Sequence, residues 1–273
     1  MGLAMPNIMD EVATFPESPR VIYNRNPLEE VICQLKFPPI LRIESESPAA
    51  FQESIRERYP LFSEKPRERL PVPDEIAKLI AENVPLTLAN PSYEFASANA
   101  AWKVTLTRDF LALTSTKYQK WEEFREHLEI PLNALTRIYA PSFYTRIGLR
   151  YRDVIKRSEL GLAGVGWGSL LMPHITGELS VKEIAPRIKH VARETVIALE
   201  DETSKVRIQH GLARSGKNGE QCYVVDSDFF RSQRTETGNV IQVLTIFNRQ
   251  AGRLFRWCIT DQLHEAMGPR VVE

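Results

Sequence analysis

The order of hydrophobic periods runs twice along the chain, and this limits the folds open to it. Val31, Cys33, Leu35 and Phe37 alternate with Ile32, Gln34 and Lys36, the period of a half-buried strand. Pro38-Pro39 stops pairing, and Ser47-Pro48 opens a helix with Phe51, Ile55 and Tyr59 on one face, closed by Pro60. A Pro- and charge-rich stretch follows from Phe62 to Pro73, and Asp74 reads as the N-cap of a short helix carrying Ile76, Leu79 and Ile80. Strands are predicted at 93–96, 102–107 and 110–116. The period then becomes helical, with Trp121, Phe124, Leu128, Leu132, Leu135 and Tyr139 in register and Pro131 as a kink or restart.

The second pass opens with a strand at 143–155, in which Phe143, Thr145, Ile147, Leu149 and Tyr151 face one way and Tyr144, Arg146, Gly148, Arg150 and Arg152 the other. After the glycine-rich stretch 161–168 come a helix over about 170–179, broken by Pro173, and strands at 191–199, 205–213 and 221–230. A long helix over about 237–266 ends at Gly268-Pro269. Both passes read β-α-β-β-β-α, a repeat of pattern with little identity of side chains. The expected fold class is α+β, with two tandem repeats joined through their first strands into one curved, mainly antiparallel sheet. Its helices cover the convex face and its concave face is left for a ligand. The expected domains are a loose leader at 1–22, a first repeat at 23–140 and a second at 141–273. A single irregular α+β domain without internal symmetry is the alternative.

Composition narrows the class. The 273 residues hold 35 basic and 35 acidic side chains, 43% hydrophobic and 26% charged residues. This excludes a disordered chain and a generally basic nucleic-acid protein. The zero is a sum, because residues 1–140 carry 16 basic and 20 acidic groups, net −4, and residues 141–273 carry 19 and 15, net +4. No apolar run nears the roughly 18 residues of a membrane span, and Met1 to Pro19 lacks the pattern of a signal peptide. Cys33, Cys222 and Cys258 are odd in number and far apart, which suits reduced core residues in a cytoplasmic protein.

Four stretches carry a resemblance. They are Asn26 to Phe37, Phe51-Gln52 with Ile55-Arg56 and Tyr59-Pro60, Arg146 to Ile155, and Phe255 with Cys258-Ile259-Thr260 and Leu263. Together they resemble a sporadically distributed, uncharacterised prokaryotic protein family over almost the full length. The resemblance implies a stand-alone cytoplasmic protein and, through its scattered distribution, an accessory role in a defence or toxin–antitoxin system. It implies no catalytic residues. The element order also resembles tandem gyrase-inhibitor-like modules, which bind small molecules, and the saddle of the TATA-binding protein. That likeness concerns order alone and carries no function.

Catalytic motifs are sparse. His127, His174, His190, His210 and His264 form no H-E-x-x-H and no zinc spacing with cysteine. Glu123 and His127 stand at i,i+4, which suits one edge of a metal site or, more simply, an exposed helix pair. The glycine-rich stretch lacks the G-K-[ST] of a phosphate loop and reads as a connector. Asp226 and Asp228 share a strand face without a partner histidine or third carboxylate. No catalytic residue, metal site or cofactor is expected.

The basic strand face is the most informative constellation. Arg146, Arg150 and Arg152 point one way, and in the repeat plan Gln34 and Lys36 face the same side. Such a cluster needs neutralising by a bound anion, or by internal carboxylates such as Glu30, Glu194 or Asp153. The leading expectation is a non-enzymatic binding protein with a protein partner. The alternative is a sensor of a small anionic ligand or nucleotide at Arg146, Arg150, Arg152, Lys36 and Gln34. A third reading, an RNA-processing enzyme, centres on His210 beside Arg214 and Lys217. Nucleic acid is not the favoured partner, since no interleaving of aromatic and basic residues appears. The apolar stripe of the C-terminal helix suits either a homodimer or packing on the sheet.

Overall fold

The computed structural model describes residues 13–66, 91–215 and 219–272. The helix expected at 74–80 lies outside them. In chain order the elements are β1 (Val21–Tyr23), β2 (Leu28–Lys36), α1 (Arg42–Ser45), α2 (Ala49–Ile55), β3 (Leu61–Pro66), β4 (Pro91–Ala96), β5 (Trp102–Leu106), β6 (Phe110–Ser115) and α3 (Trp121–Tyr139). There follow β7 (Arg146–Ile155), α4 (Trp167–Leu170), α5 (Pro173–Thr176), β8 (Ala192–Ala198), β9 (Ser204–Arg214), β10 (Gln221–Arg231), α6 (Val240–Cys258), α7 (Asp261–Ala266) and β11 (Pro269–Val271). The chain is α+β with mostly antiparallel strands. It divides into two compact units, one of Glu30–Gly148 with Gln233–Ile241, the other of Met1–Glu29, Leu149–Ser232 and Gln242–Glu273.

In the first unit the strand order is β3-β4-β5-β6-β2, every pairing antiparallel. Alternation decides the faces. Val31, Cys33 and Leu35 of β2 are fully buried with Phe95, Val104, Leu106 and Leu113 from its neighbours, each large aliphatic side chain contributing about 1.5–3 kcal/mol. Helices α2 and α3 cover this face, with Phe51 against Phe95 at 5.5 Å and Trp102 against Phe124 at 5.7 Å between ring centroids. Pro131 does not restart the helix, since α3 runs through it for 19 residues. A proline frees the carbonyl four residues earlier, here that of His127, and the Tyr59 hydroxyl donates to it at 3.0 Å. The stretch after Phe62 was expected as irregular, yet Leu61–Pro66 is strand β3, paired with β4.

In the second unit the order is β7-β10-β9-β8, with β8, β9 and β10 an antiparallel meander. The strand expected from Phe143 begins at Arg146, and Tyr144 makes only an isolated antiparallel bridge to Thr235. Helix α6 lays Leu244, Phe247, Leu254 and Cys258 into the core of this unit, Phe229 meeting Phe247 at 6.2 Å. The long C-terminal helix expected to Ala266 is two helices. The Cys258 carbonyl accepts from Met172 N–H (3.0 Å) and Thr260 N–H donates to the Leu170 carbonyl (3.0 Å), so the first helix stops and Thr260 caps the second through Leu263 N–H. The helix expected over 170–179 is the short pair α4 and α5 with one further turn, divided before Pro173. The segment expected as a loose leader is docked from residue 13 on. Phe15 is buried against Trp257 (5.6 Å between centroids), and β1 pairs with β11.

Candidate functional site

The five residues expected to hold an anion divide between the units. In the first, Arg146 donates through Nη1 to Gln34 Oε1 at 3.3 Å, and its guanidinium lies over Gly148, where a Cβ would collide with it. Lys36 is exposed, and its carbonyl accepts from Thr145 N–H at 2.8 Å. In the second unit Arg152 is exposed. Arg150 forks onto Asp226, Nε to Oδ1 at 2.7 Å and Nη2 to Oδ2 at 2.5 Å. Its side chain is 42% exposed against 13% for Asp226. Such a pair is worth about 1 kcal/mol or less, though its bidentate form fixes geometry. The carboxylate beside Arg150 is thus Asp226 of β10. Glu194, one of the anticipated partners, takes Gln209 Nε2 at 2.6 Å.

Asp153, another anticipated partner, sits on the opposite side of β7 from Arg150 and Arg152, as alternation requires. It is 7% exposed. Burial, and secondarily the charge of Asp226, pushes its carboxyl up to about 8. The other chemistry-bearing residues are tied into the core. His210 lies 2.7 Å through Nδ1 from the Tyr223 hydroxyl, which donates to the Ile175 carbonyl. Burial first, then Arg193 and His174, holds its imidazole below the usual value. His127 stacks on Trp102 at 3.8 Å and meets Tyr59 through Nδ1. The Val165 carbonyl of the glycine-rich stretch accepts from Arg157 Nη1 at 2.6 Å. Among the described residues no group of three or more His, Cys, Asp or Glu side chains is placed to hold a metal ion.

Two features of the second unit escaped sequence reasoning. One is a half-open pocket of about 270 Å³ lined by Lys189, His190, Leu212, Ala213, Arg214 and Gln221. It forms only because β9 and β10 set Arg214 opposite Gln221, and no motif announces that. The other is the outer edge of β8. The Val191 carbonyl accepts from Leu212 N–H (3.0 Å) and Leu199 N–H donates to the Ser204 carbonyl (2.9 Å). With the one-to-one register of β8 on β9, the odd-numbered residues bond to β9. The backbone N–H and C=O groups of Ala192, Glu194, Val196 and Ala198 therefore turn outward. Among the described strands, β8 is the last of its sheet. Comparison with protein-family models and with curated proteins finds no match to this chain.

Proposed function

We propose that the protein is a non-enzymatic binding protein, built as a tandem of β-α-β-β-β-α repeats, which engages a protein partner by accepting an extended segment along β8. The repeat reading rests on element order. In each pass along the chain the opening strand neighbours the last strand of a meander, β2 beside β6 and β7 beside β10, and a 19-residue helix follows. The first pass carries one strand beyond the plan, β3, paired outside β4. One curved sheet with helices on its convex face is the arrangement this plan favours. The accessory role in a defence or toxin–antitoxin system implied by the family resemblance accords with a module that works through a partner.

The observation that carries the binding reading is the unguarded edge. Natural edge strands are protected by charged side chains, lysine above all, by proline, bulges or shortness, or by a covering segment. β8 has seven residues, Ala-Arg-Glu-Thr-Val-Ile-Ala, with neither lysine nor proline and an unbroken register. Its two charges are occupied, Arg193 by Glu178 and Glu194 by Gln209. Val196, at its middle, is 51% exposed. Main-chain bonds along such an edge give affinity, and alternate side chains give selectivity.

The test is affinity capture from the native host with wild type and Val196→Pro. This substitution deletes an outward N–H and leaves the bonds to β9. Wild type should recover a reproducible partner that Val196→Pro loses while keeping its circular dichroism. The reading fails if wild type captures none, or if the variant captures the same partner at the same yield.

A further inference from the structure

We infer that the cavity bounded by Lys189, His190, Arg214 and Gln221 is a binding site for the phosphate group of a small ligand. This site is independent of the β8 edge and lies apart from the arginine face anticipated in the sequence. The lining supplies two permanent cations, an imidazole and an amide beside Leu212 and Ala213, and among the described residues it contains no carboxylate. Among the described residues neither Lys189 nor Arg214 has an acidic partner. Arg150, by contrast, has its charge answered by Asp226.

Several contacts hold the site in shape. Arg214 donates through Nη1 to the Gly219 carbonyl at 3.1 Å, which steadies the guanidinium across its hairpin and leaves its remaining donors for a ligand. The Trp167 indole N–H donates to Gln221 Oε1 at 3.1 Å. This fixes the amide with its carbonyl on the indole, so its NH₂ group is the end available to an acceptor. Trp167 is itself held by the Arg157 guanidinium, 4.4 Å above its ring. The nearest acidic neighbour in sequence, Glu220, is committed elsewhere, accepting from Ser158 N–H at 3.0 Å and from the Ser158 hydroxyl at 2.5 Å.

Like charges gathered without a counter-charge repel, and a forked guanidinium beside an ammonium and an amide N–H matches the oxygens of a phosphate. A volume near 270 Å³ falls just below the usual range for organic ligands. It suits inorganic phosphate or a compact phosphate monoester.

Isothermal titration in a low-salt, phosphate-free buffer tests the site, with inorganic phosphate and AMP as separate probes. The expected result is saturable one-site binding of at least one probe. Tighter binding of AMP would identify the ligand as a monoester, and equal binding would identify it as phosphate itself. Lys189→Ala and Arg214→Ala should each weaken binding at least fivefold, and Arg150→Ala should leave it unchanged. All three side chains are at least partly exposed, so the variants should fold, which circular dichroism verifies. The inference is overturned if neither probe binds saturably up to 10 mM, or if the Lys189→Ala/Arg214→Ala double variant binds as wild type does.

Discussion

Replacing Gly211 by alanine probes how closely β8 and β9 approach. An alanine Cβ at this position would stand 2.8 Å from the Val191 carbonyl carbon, 0.6 Å inside ordinary van der Waals contact, with the carbonyl oxygen nearer still. Backbone cannot swing aside as a flexible side chain can. The strand leading into β8 must therefore lift, and the Leu212 N–H bond to the Val191 carbonyl lengthens or breaks. Losing that bond costs about 0.5–1.5 kcal/mol. Forcing atoms into a close-packed site adds about 1–3 kcal/mol, so the expected loss is roughly 2–4 kcal/mol. Urea unfolding followed by fluorescence and circular dichroism measures it. Since Lys189 and His190 immediately precede Val191, phosphate binding should weaken in the same variant. A stability change below about 0.5 kcal/mol would refute the close-approach argument.

Other substitutions bear on particular groups. Asp153→Asn should flatten the pH dependence of stability. The native carboxyl keeps its proton up to about 8 while the unfolded one releases it near 3.9, so the native state binds more protons and stability falls as pH rises from about 4 to 8. At pH 8 the asparagine variant should be the more stable by a few kcal/mol, and equal or lower stability there would contradict the burial argument. Tyr59→Phe should cost about 1–3 kcal/mol by orphaning the His127 carbonyl. Its cost should shrink in a Pro131→Ala background, where a new N–H reaches that carbonyl, and additive losses in the double-mutant cycle would rule this out. Cys33, Cys222 and Cys258 are all free and buried, and burial raises each thiol above its usual value. They should react with a disulfide reagent only at the rate of unfolding, and prompt labelling of any one of them would show the packing to be wrong.

Period was the most reliable guide. Val31 to Phe37, Trp102 to Leu106 and the strands at 204–214 and 221–231 were legible because alternation is imposed by a sheet with one buried face. Breaks in regular elements were less visible. Pro131 argued for a kink or restart, yet α3 continues through it, and the carbonyl it frees is met by a hydroxyl far away in sequence, at Tyr59. Nothing in the apolar stripe of the last helix announced the stop at Cys258, which comes from bonds to Leu170 and Met172 on another segment. The arginine face was legible as alternation, but the partner of Arg150 depends on which strand lies beside β7. The basic cavity was not legible, because strand order and register decide that Lys189, Arg214 and Gln221 line one space.

The route of the chain through its two units bears on synthesis. The first unit is almost continuous, from Glu30 to Gly148, whereas the second takes pieces from three separate stretches. Tyr23 must wait for His264, 241 residues later. At about 5–20 residues per second that interval lasts roughly 12–48 seconds. Throughout it Phe15 has no Trp257 to pack against and β1 has no strand to pair with. The first unit can therefore condense on the ribosome while Phe15 and the Val21–Tyr23 strand of the second stay uncovered until the last helices emerge.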